Sequence, residues 1–293
     1  MFRTVKEHVW AFDLEWIPDP MAGRLLHKLP EKMSDREVMM VMWDEANPTP
    51  ENPMPFLRTI LCRVVSIAAV VRKVKPGGEV KLDLLALPRD TADAEQAKEA
   101  NLIKRFLQAM GKGNESPQLV GYNSQAADLK ILVQRGTVLG IEAAAFCKRP
   151  EKPWEGRDYF TRESEWNIDM YNILAGRGGG SSATLNQVAV LSGIPGKMDV
   201  DGNQVAELWL DGRLDKIVQY NEFDALTTYL VWLRLAHFAS LFDDEQYAIE
   251  NERVRALLKN EIEVKGRVHL QAYVDEWNRL QSILNPAPCQ HKG

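Results

Sequence analysis

Near its start the chain reads VWAFDLEW, from Val9 to Trp16. Without Asp13 and Glu15 this is an apolar run of the kind that forms a buried strand. A strand sends alternate side chains to one face, so the two carboxylates stand side by side. Two like charges on a core strand are costly unless a cation compensates them. Any fold for this chain must therefore bury that strand and explain its acids.

Spacing alone does not make the pair special. The chain has four Asp-x-Glu pairs: Asp13/Glu15, Asp35/Glu37, Asp93/Glu95 and Asp243/Glu245. The last three lie in polar surroundings, where solvated carboxylates need no partner. Only the first sits in a central-strand pattern.

The rest of the pattern predicts an α/β domain. Residues 18–58 form a long excursion with seven prolines and a helical patch, EVMMVMWDE, whose methionines read as local packing. The stretch Arg58–Val74 is rich in β-branched residues and predicts a strand. A turn at PGGE and a hairpin partner, Val80–Leu87, follow. Leu102, Ile103, Phe106, Leu107 and Met110 have helical spacing. PQLVGYN predicts a short strand, Gln125–Gly140 a helix, and NIDMYNIL a last short strand entering a helix. The remainder is helical. The expectation is a five-stranded mixed sheet, with strands one to three as an antiparallel meander and parallel additions beyond. Helices flank the sheet, and Leu270, Val274, Trp277, Leu280 and Leu284 form one stripe of a C-terminal helical extension.

Two further carboxylates stand out. Asp128, in GYNSQAADLKIL, falls in the first turn of a helix, where complementing the helix dipole is sufficient reason for an acid. Asp224, in QYNEFDALTTYLVW, lies four residues after Tyr220 and shares its helical face. Of the seven tyrosines, only Tyr220 has an Asp at that spacing. Hard carboxylate oxygens with no His or Cys beside them suit Mg²⁺ or Mn²⁺. Two such ions about 3.5–4 Å apart can hold an attacking water and a leaving oxygen in line on a phosphate. Tyr220, one turn from a ligand, is placed to orient that water; an unperturbed phenol, with a pKa of about 10, is a poor base for it.

In order, FDLEW, GYNSQAAD and YNEFD resemble the three motifs of the DEDD superfamily of 3′–5′ exonucleases, which have an RNase H-like fold. Tyr before the last Asp resembles the tyrosine subclass. NIDMYNIL, LSGIPGKMD and YNEFDALTTYLVWLRL are similar to stand-alone proteins related to the exonuclease domain of family-B DNA polymerases. The resemblance runs from about residue 8 to 238, with 18–58 poorly matched. It implies that Asp13, Glu15, Asp128 and Asp224 bind two divalent metals, and that Tyr220 positions the nucleophilic water. It also implies substrate contacts at Leu14, Trp16, Tyr122, Asn123 and Lys197. Three positions depart from the family: Trp16 stands where Thr is common, Ala127 where an aromatic precedes the Asp, and Asn167 where His is common. The loss at Ala127 removes a stacking ring that Trp16 or Tyr122 could replace.

The implied partner is single-stranded nucleic acid with a free 3′ end, DNA favoured over RNA. The competing class is a catalytically weak nucleic-acid-binding or replication-accessory module, with a replication or repair protein docked on the C-terminal helices. The expected organisation is an exonuclease domain over 1–240 and a helical extension over 241–293. GRGGGSSAT (176–184) lacks the GK[ST] ending of a phosphate loop and reads as a linker. Lys148, Arg149, Lys152, Arg157 and Arg162 form a basic loop that is either solvated surface or a phosphate-tracking edge.

The net charge of −5 argues against nonspecific duplex binding driven by bulk charge. Three scattered cysteines, Cys62, Cys147 and Cys289, give neither a disulfide framework nor a zinc site. The longest apolar stretch, VVSIAAVV, is too short to span a bilayer. The first ten residues lack a signal-peptide pattern, so a cytoplasmic location is expected.

Overall fold

The computed structural model describes residues 1–110, 116–152, 155–161, 164–176, 183–198 and 202–284. Its strands are β1 (His8–Pro18), β2 (Cys62–Val74), β3 (Val80–Leu87), β4 (Gln118–Gly121) and β5 (Asn167–Asp169). They form one mixed sheet in the order β3-β2-β1-β4-β5. β1 pairs antiparallel with β2, and β2 with β3; β4 is parallel to β1, and β5 to β4. This is the meander with parallel additions that the sequence predicts, and it puts VWAFDLEW on the central strand.

In chain order the helices are α1 (Pro20–His27), α2 (Asp35–Asp44), α3 (Glu99–Met110), α4 (Asp128–Val138), α5 (Ala144–Cys147), α6 (Met170–Ala175), α7 (Leu185–Leu191), α8 (Val205–Leu210), α9 (Leu214–Phe238), α10 (Asp244–Glu263) and α11 (Leu270–Leu284). Two layers of them enclose the sheet. On one face Trp10, Phe12 and Leu14 of β1 pack with Leu102, Ile103 and Phe106 of α3 and Leu129 and Leu132 of α4. On the other, Val9 and Ala11 pack with Leu226, Leu230 and Leu233 of α9, Leu258 of α10 and Trp277 of α11. Each fully buried Leu or Phe contributes roughly 1.5–3 kcal/mol, so both layers are needed to hold the central strand.

α9 is apolar on nearly every side because it is enclosed: the sheet lies on one side and other helices on the rest. It can lie close to β2 and β3 because Ala68, Ala86 and Ala225 are small where they meet. The stripe predicted for α11 is largely as expected, with Leu270, Trp277 and Leu280 buried, although Leu284 is exposed. Tyr273, outside that stripe, is fully buried.

The excursion holds a helix that the sequence reading leaves out. Asp19 caps α1 by accepting the Met21 N–H, and Pro20 occupies the first turn. A Ser34/Glu37 capping box starts α2. The two helices approach so closely that a Cβ on Gly23 would sit 2.5 Å from Val38 Cγ1. Met39 and Met42 are buried there, the packing role expected of the methionine cluster. β2 begins only at Cys62, because a 3₁₀ turn occupies Thr59–Leu61.

Candidate metal centre

The odd-numbered residues of β1 share a face: Val9 and Ala11 meet α9, Asp13 and Glu15 follow, and Ile17 packs beside Tyr220. β4 pairs with β1 only as far as Ala11. Beyond that point the parallel strand ends, and the crevice at its carboxyl end opens beside the two acids. At that exit the chain turns sharply: a Cβ on Gly121 would lie 2.4 Å from Ser124 Cβ, and Asn123 takes φ +61°. The turn delivers Asp128 at the start of α4. Its Oδ1 accepts the Leu14 N–H at 3.1 Å, so the carboxylate is locked to β1 between Asp13 and Glu15.

α9 brings the fourth acid. One carboxylate oxygen from each of Asp13, Glu15 and Asp224 lies within 4.8 Å of the other two. Among the described residues this is the one cluster of three or more metal-type ligands. Asp128 stands next to that trio rather than within it. Glu15 and Asp128 are buried, while Asp13 and Asp224 keep one side open to the crevice. Tyr220, buried on the same face of α9, lies close enough to Asp224 to hold its pKa down.

The electrostatics follow from crowding. Burial, then Asp128, Asp224 and Glu15, push the Asp13 carboxyl well above its ordinary range. Burial, then Asp224 and Asp128, raise Glu15, with Lys197 pulling the other way. Burial raises Asp128 to about 7 despite the Leu14 N–H, and Asp169 and Asp224 add to the shift. Asp224 is raised to about 6, mainly by burial, with Tyr220 and Lys197 holding it down. Burial and the three nearby acids push the Tyr220 phenol far upward, so it remains protonated and acts as a donor.

The other anticipated residues divide. Lys197 lies near enough to act on Glu15 and Asp224. Trp16 is half-buried and lines a shallow groove with Pro18, Trp43, Met54 and Phe56. Phe56 is 83% exposed. Asn123 lies in the turn, with its N–H donated to Asp169 at 2.8 Å. The Tyr122 hydroxyl is bonded to the Ala183 carbonyl, and its ring meets Tyr171 edge-on. Leu14 is different: its side chain is buried in the cluster on the opposite face, and its N–H is taken by Asp128. The strand alternation that turns Asp13 and Glu15 toward α9 turns the Leu14 side chain into the opposite core.

The basic loop is mostly spent on its neighbours. Arg149 pairs with Asp158 at 2.9 Å, Lys152 with Glu155 at 2.9 Å, and Arg157 donates to the Ala145 carbonyl. Arg162 and most of GRGGGSSAT (177–182) lie outside the described residues.

Asp169 is a residue the sequence reading did not single out. It accepts the N–H groups of Asn123 (2.8 Å), Gln125 (3.0 Å) and Tyr171 (3.1 Å), and Asn172 Nδ2 at 3.0 Å. It thereby clamps the turn that leads to Asp128. An Asp at a strand–helix junction, in NIDMY, was its available signal.

Four carboxylates from β1, α4 and α9, converging at the carboxyl end of β4 in an α/β fold, define an acidic centre of the class that holds divalent cations. The family described as "Predicted 3'-5' exonuclease related to the exonuclease domain of PolB" matches residues 54–277, and the chain belongs to it. The match includes Asp128, Lys197, Tyr220 and Asp224 and begins after Asp13 and Glu15. No curated protein matches the chain. Among solved structures, the family B DNA polymerase from the hyperthermophilic archaeon Pyrobaculum calidifontis is similar at 18% identity and a TM-score of 0.46, over 79% of this chain and 24% of that one. Among the described residues, no helix is long and apolar enough to cross a membrane.

Proposed function

We propose that the chain is a metal-dependent 3′–5′ exonuclease that hydrolyses the terminal phosphodiester of single-stranded DNA and releases 5′-mononucleotides. The observation that carries this reading is the convergence of Asp13, Glu15 and Asp224 oxygens within 4.8 Å, with Asp128 alongside. The donor set fits the group: hard oxygens only, crowded so that each raises its neighbours' pKa values. Two Mg²⁺ or Mn²⁺ ions held by these four residues would offset that repulsion and supply Lewis-acid activation of water and phosphate.

The chain's own residues supply the rest. The Leu14 N–H fixes the Asp128 carboxylate against β1. Tyr220, protonated and one helical turn from Asp224, offers a phenolic group that orients the attacking water in line with the scissile bond. Lys197 places a cation on the rim, where a substrate phosphate would sit. Trp16 and Phe56, which line the groove with Pro18, Trp43 and Met54, give a nucleobase an aromatic surface. The exonuclease domain spans 1–240, with 241–293 as a C-terminal extension whose described helices, α10 and α11, pack in one core cluster with α9.

The test is digestion of matched 3′- and 5′-labelled oligonucleotides, as DNA and as RNA, with and without EDTA. The expected result is metal-dependent loss of the 3′ label first, faster on DNA. Faster loss on RNA would move the substrate to RNA, and no digestion with Mg²⁺ or Mn²⁺ would sink the reading.

A further inference from the structure

α11 packs in the core cluster that also holds Val9 and Ala11 of β1, and hydrogen bonds lead from it to the rim of the acidic centre. Tyr273 is fully buried, its ring stacked on Phe223 at a centroid distance of 5.7 Å. Its hydroxyl lies 3.0 Å from Thr227 Oγ1, which donates to the Pro195 carbonyl at 2.9 Å. A hydroxyl has one proton, and a carbonyl can only accept. The bonds therefore run in one direction, from Tyr273 to Thr227 to Pro195.

Pro195 belongs to the turn after α7 that ends in Lys197. Gln281, also on α11, holds the other end by donating Nε2 to the Gly193 carbonyl at 2.8 Å. Asn186 accepts the Lys197 N–H at 2.8 Å. The turn has no slack: Gly193 takes φ +72°, and a Cβ on Gly196 would fall 2.0 Å from Asn186 Oδ1. Gly193 to Gly196 are buried, and Lys197 emerges exposed beside Glu15 and Asp224. Thr227 is also on the face of α9 that carries Tyr220 and Asp224, at positions i+7 and i+3 from them.

We infer that Tyr273 and Thr227 are positioning residues that fasten the 193–197 turn to α11 and so hold Lys197 at the rim, where it meets a phosphate of the bound strand. The C-terminal helix then acts on substrate binding rather than on the metal ligands. The consequence for Lys197 rests on the exonuclease reading; the fastening does not.

Two measurements separate them. Trypsin cleaves after Lys197, so the rate of nicking at the Lys197–Met198 bond reports how tightly the turn is held. Tyr273→Phe and Thr227→Val, which keep their volumes, are expected to speed that nick several-fold at a temperature well below melting, while Thr227→Ser keeps the wild-type rate. Equal nicking in all four proteins overturns the fastening, whether or not the chain is a nuclease. In 3′-end digestion, Tyr273→Phe is expected to raise KM about threefold to tenfold, the worth of one hydrogen bond, with kcat nearly unchanged. In a Lys197→Ala background the same substitution is expected to add nothing. A fall in kcat with a shifted metal requirement would instead mean that Tyr273 acts through Asp224, and would overturn the assignment. If the wild type digests no 3′ end, the exonuclease reading fails and the nicking rates still decide the fastening.

Discussion

Two buried charged regions flank β1, and they are resolved in opposite ways. Beneath one face, Arg135 of α4 donates to Asp19 at 2.7 Å and to both oxygens of Glu99 at 2.8 and 2.7 Å. Glu99 also accepts the Val64 N–H at 2.8 Å. Two acids there share a cation the chain itself provides. On the other face, Asp13, Glu15, Asp128 and Asp224 converge with Lys197 as the cation named among their neighbours. Burying charge is tolerated where partners and hydrogen bonds repay the lost hydration. The first region meets that condition from within; the second calls for a cation from outside. That difference, more than the number of acids, sets the second region apart as the candidate metal centre.

The sharpest way to break the comparison is to remove one acid from each kind of region. Asp13→Asn or Asp224→Asn is expected to abolish 3′-end digestion. The loss of a metal ligand costs several kcal/mol of transition-state stabilisation, roughly a thousandfold or more. In EDTA the same variants are expected to melt no lower than wild type, because a repelling charge has gone. Digestion at the wild-type rate would remove the metal assignment, and a large fall in melting temperature would make these acids structural.

Arg135→Met tests the compensated region and should behave in the reverse way. It leaves Asp19 and Glu99 buried without their cation, a loss of about 3–5 kcal/mol in denaturant unfolding. The metal concentration needed for half-maximal digestion, measured below the melting transition, is expected not to move. A changed metal requirement with intact stability would mean that the two regions are coupled through α4.

Tyr220→Phe has a smaller expected effect, about tenfold to a hundredfold on kcat with KM little changed, as for a misplaced nucleophile. The burial that raises its phenol far above the ordinary range removes it as a base. The pH profile of the variant should therefore keep the shape of the wild-type profile. A lost alkaline limb would restore Tyr220 as a titrating group.

How much of this could be read in the sequence depended on whether a residue's reason was local. The sheet was legible because β2 and β3 carry β-branched runs joined by PGGE, and β1 carries an apolar run. Asp13 and Glu15 were legible because acids on that strand contradict it, and Tyr220 with Asp224 because helical spacing puts them on one face. Asp169 was not, since an Asp entering a helix is ordinary and its other donors, at Asn123 and Gln125, are more than forty residues away. Leu14, between two motif acids, has its side chain turned by strand alternation into the opposite core, which residue order alone does not reveal. Helix α1 was hidden by prolines that read as loop. Tyr273 and Thr227 gave no signal, because their link to Pro195 exists only once α11 has packed.

The subtlest expected effect is on stability, and it joins the metal to pH. Asp128 moves from an ordinary 3.8 to about 7, Asp224 from 3.8 to about 6, and Asp13 and Glu15 move in the same direction. Each carboxyl therefore keeps its proton to a higher pH in the folded protein than in the unfolded chain. The folded state then binds more protons between about pH 4 and 7, and stability falls as pH rises through that window. In EDTA the contribution of these groups to the melting temperature should be greatest near pH 4 and lost by pH 8. A bound cation removes the repulsion only where the acids are ionised. Mn²⁺ or Mg²⁺ is therefore expected to raise the melting temperature by at least about 3 °C at pH 8 and by little at pH 5. The Arg135 region carries its own cation and should contribute no metal-dependent part to either curve. Asp128→Asn should flatten the difference between pH 5 and pH 8 in EDTA. A metal shift of equal size at both pH values would show that the cation binds somewhere other than among these four acids.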